Sequence, residues 1–168
     1  TIVTRAAEIA AAKGVLVVVS AGNDGSNRAY GRKISAPADA NGDSVIAIAA
    51  VDSFGVRVAF SSKGPTFDGR IKPDLAAQGT SVWAASAEGD PNTYQLVDGT
   101  SFSTPLVAGL AACLMQARPR WSPVQVIQAL KASATQANSP DTLLGWGIPN
   151  GLAALRYVPD TLGIAPGT

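Results

Sequence analysis

Two short stretches of this sequence carry residue types that could do covalent chemistry. The first is Gly99-Thr100-Ser101-Phe102-Ser103-Thr104-Pro105, which runs straight into the apolar stretch Leu106 to Met115. A small-residue turn, a hydroxyl, a proline at the expected first helical turn and an apolar helix are the parts that seat a nucleophile at a helix N-terminus. Ser101 is the candidate nucleophile. Unpaired N–H groups and the positive end of the helix macrodipole would favour an oxyanion developing beside it. The same pattern also fits an ordinary helix cap, so position alone does not make the serine reactive. It needs a base to take its proton, usually a histidine oriented by a carboxylate, and the chain contains no histidine.

The second stretch is Ser20-Ala21-Gly22-Asn23-Asp24-Gly25, small, polar and glycine-flanked. It follows Val15 to Val19, an unbroken apolar run expected as a strand buried on both faces. Open α/β sheets place their ligands at the carboxyl ends of such strands. The Asn23 amide could there aim an N–H at a carbonyl oxygen turning anionic. A plain turn asparagine fits the local sequence equally well.

The elements that must position these stretches follow from periodicity and punctuation. Thr1 to Lys13 predicts a helix with Ile2, Ala6, Ile9 and Ala10 on one face, ended by Gly14. Val45 to Val51 predicts a second strand after a surface loop. Turn signals at Lys63-Gly64-Pro65 and Asp68-Gly69 surround the short apolar segment Val56 to Phe60. Gly79 to Ala85 and Tyr94 to Val97 predict a strand pair joined by a loop over Glu88 to Asn92, delivering the chain to Gly99. A helix over about Thr104 to Ala117, apolar nearly all round, is expected to be the most buried of the domain. Ser122-Pro123-Val124-Gln125 is a capping box opening a helix to about Ser133, and Asn150 caps a short one to about Tyr157. The expected fold is α/β, a parallel sheet flanked by helices, over residues 1–158 with a tail at 159–168.

Charge and composition narrow the function. Thirteen Lys and Arg stand against twelve Asp and Glu with no basic block, so nucleic acid is not an expected partner. The longest apolar run, Leu106 to Met115, is well short of the roughly 20 residues of a membrane span, so no membrane is expected. Cys113 is the single cysteine; it can form no internal disulfide or thiolate metal cluster, and its place in the apolar helix predicts a small core residue.

Taken together, Val17 to Gly25 and Gly99 to Gly109 resemble the oxyanion-asparagine and nucleophile-serine motifs of the subtilisin-like serine proteases. Val45 to Asp52, Phe60 to Pro65 and Ile71 to Asp74 resemble further family blocks in the same order, and Gly145 to Gly151 resembles the closing glycine motif. The resemblance implies a secreted serine endopeptidase acting on polypeptides through an acyl-enzyme on Ser101, with Asn23 in the oxyanion hole. It implies that Ser20, Ala21 and Gly22, with Ala36 and Ala38, wall the pocket for the residue before the cleaved bond. The family order is Asp, then His, then Ser, and no residue here matches the first two. The chain then corresponds to the carboxyl-terminal half of the peptidase domain, with an amino-terminal half as its partner, and is expected to be inactive alone. Half of such a sheet presents an unpaired edge, so self-association is a further expectation. Asp98 is expected to order the turn before Gly99, and Asp24 to lie on the pocket rim. Gln78 and Leu106 depart from the family pattern, which has proline and histidine there. No cofactor is required for the chemistry; structural calcium occurs in the family, but no ligand set is identifiable here. The competing expectation is a non-catalytic binding or scaffold module on the same fold, although such a module has no chemical need for both Asn23 and Ser101.

Overall fold

The computed structural model describes residues 1–29, 31, 33–86 and 92–158. Most of the expected loop over Glu88 to Asn92, and the tail at 159–168, lie outside the described residues. The core is a three-stranded parallel sheet of β1 (Val17–Ser20), β2 (Val45–Val51) and β3 (Leu75–Gln78), ordered β1-β2-β3. Val17 pairs with Val45 and Ile48 with Leu75. All seven residues of β2 are buried, because β-branched and alanine side chains let neighbours close on both faces. Ile46 and Ile48 meet Val107, Ala111 and Leu114 of α2 (Thr100–Ala117) and Val126, Ile127 and Leu130 of α3 (Pro123–Ala132). Each such aliphatic side chain contributes about 1.5–3 kcal/mol on burial. On the opposite face Val45 packs with Ala7 and Ala11 of α1 (Ile2–Ala12), and Ala49 and Val51 pack with Ala76, Leu144 and Ile148. The α/β architecture expected from the sequence is the one observed.

Several local expectations change. Helix α1 ends at a Lys13 cap followed by Gly14 at φ +83, as its glycine predicts. It turns Ala7 and Ala11 to the sheet, leaving Ile2 and Ile9 exposed. Strand β1 is only partly buried along its length, since it is an edge of the described sheet rather than an interior strand. The strand β3 was not expected at all: Leu-Ala-Ala-Gln has little β-branched character. The antiparallel hairpin of β4 (Val82–Ala85) and β5 (Tyr94–Val97) forms as expected, but β4 begins three residues after Gly79.

Helix α2 departs furthest. It begins at Thr100, so Pro105 lies inside it rather than at its first turn. Its buried residues Thr100, Ser103, Val107, Ala111 and Leu114 form a single stripe; Pro105, Leu106 (50% exposed), Gly109, Ala112, Cys113 and Met115 face outward. The expectation of a helix buried all round is corrected, and with it that of a core Cys113, which is exposed. Helix α3 carries the capping box in full, with Ser122 Oγ accepting from Gln125 N–H and Gln125 Oε1 from Ser122 N–H. Asn150 caps α4 (Gly151–Arg156) through Ala153 N–H. No described helix is long and apolar enough to cross a membrane.

Candidate active site

The loop after β1 is fastened to its surroundings residue by residue. Ala21 N–H continues the ladder to Ile48 O at 3.0 Å, and Ser62 N–H donates to Gly22 O at 2.8 Å. Asp24 N–H donates to Ser62 Oγ at 3.0 Å and Gly25 N–H to Phe60 O at 2.7 Å. These bonds leave Asn23 at the apex, exposed, at the carboxyl end of the parallel strand.

Ser101 reaches the same place from the other direction. Gly99 N–H donates to Gly79 O at 2.7 Å, tying the approach to the end of β3. Gly99 has φ +146 and ψ 152, a backbone conformation essentially restricted to glycine. It supplies no side-chain cap to α2. The cap comes instead from Asn23, whose Oδ1 accepts from Thr100 N–H and from the Thr100 hydroxyl, both at 2.9 Å. Thr100 Oγ1 in turn accepts from Gly22 N–H at 3.2 Å. One fully buried threonine therefore joins the loop to the helix. With Oδ1 so held, Asn23 Nδ2 stands 3.4 Å from where a Cβ on Gly99 would be. The Ser101 hydroxyl is exposed, and its N–H, an orphan of the first helical turn, finds no acceptor among the described residues. An exposed serine hydroxyl, an unspent backbone N–H and an amide anchored on Thr100 thus lie at the positive end of an 18-residue helix.

Asp98 holds the adjoining turn. Its Oδ1 accepts from the Thr80 hydroxyl at 2.6 Å and from Ser81 N–H at 2.7 Å, and these two bonds keep its carboxyl below the usual range. Ser81 sits there at φ +53. Asp24 is half-buried beside Ser62 and makes its bond through the backbone.

The five expected pocket residues come together in part. Ser35 N–H donates to Ala21 O at 3.0 Å, drawing the 35–38 segment against Ser20 to Gly22. A Cβ on Gly22 would meet Ser35 Oγ at 2.5 Å. Ala21 and Ala38 are fully buried, Ser20 and Gly22 half-buried and Ala36 exposed. Thr100 was not singled out in the sequence; its place beside Ser101 was the only available signal. Among the described residues no group of three or more Cys, Asp or Glu side chains is arranged to hold a metal ion.

The subtilase family model matches residues 2–147. The chain belongs to the subtilase family. This subtilase is 37% identical over 153 residues to subtilisin BL of Lederbergia lenta, covering 90% of the chain and 50% of that relative. It is 37% identical to an alkaline protease of Shouchella clausii, covering 36% of that protein. Among solved structures it resembles a self-cleaved protease domain of PatA at TM-score 0.70 and 28% identity, covering 90% of the chain and 53% of its counterpart. A lanthipeptide protease gives TM-score 0.73 at 26% identity, with 91% and 54% covered. The subtilase chain thus spans about half the length of the subtilisins and protease domains it matches.

Proposed function

We propose that this chain supplies the nucleophile and oxyanion hole of a serine endopeptidase whose aspartate and histidine lie in the half of the domain it does not span. The observation that carries this reading is the anchoring of Asn23 Oδ1 on Thr100, with the Nδ2 donor beside Gly99, two residues before Ser101. Ser101 Oγ attacks the carbonyl carbon of a polypeptide while the histidine takes its proton. The resulting oxyanion accepts from Ser101 N–H and Asn23 Nδ2. The histidine then protonates the leaving amine, and water hydrolyses the acyl-enzyme by the same sequence in reverse. Ser20 to Gly22 and Ala36 to Ala38 wall the pocket for the residue before the cleaved bond.

No carboxylate near Ser101 can replace the missing base, because one ionised near pH 4 accepts a hydroxyl proton poorly. The partner is the amino-terminal half; its docking would cover the β1 edge and the outward apolar stripe of α2. In its absence that stripe would drive self-association. The chemistry needs no cofactor, and an extracellular setting follows from the kinship with the subtilisins.

A fluorophosphonate probe tests the reading. The full-length protein that contains this chain is expected to be labelled at Ser101, and the 168-residue chain alone is not. Labelling of the isolated chain at the full-length rate would refute the dependence on a second half. Asn23→Ala in the full-length protein is expected to lower kcat by about 10²–10³-fold with KM nearly unchanged, the magnitude known for the corresponding amide of subtilisin. Losing the Thr100 N–H acceptor should also cost about 1 kcal/mol of stability. Steady-state kinetics and urea denaturation separate the two effects.

A further inference from the structure

A cleft of about 550 Å³ lies at the opposite end of the sheet from Asn23 and Ser101. It opens where β2 begins and where residues 70–74 approach β3, and α3 and Trp146 close its other side. Its floor is a charged cluster. Asp74, 4% exposed, receives Lys72 Nζ on Oδ2 and Lys131 Nζ on Oδ1, the latter at 2.8 Å. Ala47 N–H also donates to Asp74 Oδ2, at 2.8 Å. The carboxylate takes three donors, while each ammonium keeps at least one N–H bond without a described acceptor.

Lys72, 5% exposed, has two described acceptors, Asp74 and Val45 O, for three N–H bonds. Lys131 has one, and lays its ammonium 4.0 Å from the centre of the Trp146 ring. Two ammonium groups share one carboxylate, so the cleft carries a surplus positive charge, with the Lys72 end buried and the Lys131 end partly open to solvent. Arg70 lines the same cleft with three of its N–H bonds engaged by Asp68, Ala40 O and Asp39 O. Asp43, the other carboxylate of the lining, is exposed and pairs with none of these cations.

We propose that this cleft binds a small oxyanion, a carboxylate or phosphate group, between Lys72, Lys131 and Trp146. The anion takes the spare N–H bonds of both lysines and neutralises the surplus charge. Burial, together with Lys131 and Arg70, holds the Lys72 ammonium below its ordinary range against the pull of Asp74, so occupancy would also draw a proton onto Lys72 at alkaline pH.

The test titrates the full-length protein with inorganic phosphate, with acetate and with chloride at matched ionic strength, following Tm. A saturable rise of about 3 °C with phosphate or acetate above the chloride control is expected, and whichever anion produces it identifies the headgroup. Lys131→Met should abolish the rise. Gln128→Glu, at an exposed cleft position outside the lysine cluster, should weaken apparent affinity at least about fivefold by like-charge repulsion. Indistinguishable curves for all three anions would overturn the proposal, and so would a rise that survives both substitutions. Neither readout depends on peptide hydrolysis, so the outcome is separate from that of the protease reading.

Discussion

Ser101→Ala in the full-length protein is expected to lower kcat by about 10⁶-fold while leaving KM and Tm nearly unchanged. The magnitude is that of subtilisin itself, a relative of this chain. A residual acceleration of about 10³–10⁴ over water would remain, because the proposed oxyanion donors at Asn23 and the backbone are untouched. The stability expectation comes from this structure: the Ser101 side chain is exposed and makes no hydrogen bond with the described residues, so its removal should shift stability by less than about 0.5 kcal/mol. Peptide-hydrolysis kinetics and a melting curve on the same preparation check both parts. Turnover within tenfold of the parent would remove Ser101 from the mechanism; a large loss of Tm would instead make it a structural residue.

Asp74→Asn should have the largest effect on stability. The substitution keeps the volume but leaves two ammonium groups, one of them buried, facing a neutral amide. Breaking a buried pair from one side typically costs about 3–5 kcal/mol, a fall in Tm on the order of 10 °C for a domain of this size. Removing Lys72 as well, in Asp74→Asn with Lys72→Met, should recover part of the loss because the stranded charge goes too. The pH dependence has a definite sign. Burial pushes the Asp74 carboxyl up, but Lys131 and Lys72 outweigh it and hold it below the usual carboxylate value. A depressed carboxyl stabilises the fold in full above the unfolded value of about 3.9 and loses that contribution as pH falls through the lower folded value. Acid denaturation of the parent should therefore be steep below about pH 4, and that of the variant shallower.

The residues proposed for chemistry were legible because each is local: a glycine-threonine-serine turn running into an apolar helix, and an asparagine at the end of a β-branched run. The parallel sheet was legible from the same runs at Val17 and Val45. What joins these pieces was not. Thr100 reads as filler beside Ser101, and its importance appears only when Asn23, 77 residues earlier, is placed against it. The strand Leu75–Gln78 is alanine-rich and gains its extended conformation from pairing with β2, a tertiary effect that overrides weak propensity. Lys72, Asp74 and Lys131 cluster although Lys131 lies 57 positions after Asp74, and no spacing rule connects them. The apolar character of α2 predicts burial all round, but composition reports only that a face can be covered, not that this chain supplies the cover.

The bond from Thr100 N–H to Asn23 Oδ1 lets the side chain proposed as an oxyanion donor also cap the first turn of α2. The loop and the first turn of α2 are therefore fastened directly to each other, through Asn23 Oδ1 and Gly22 N–H on Thr100. For the proposed pair, what matters is the position of each relative to the other, and one shared fastening can set that without stiffness throughout the molecule.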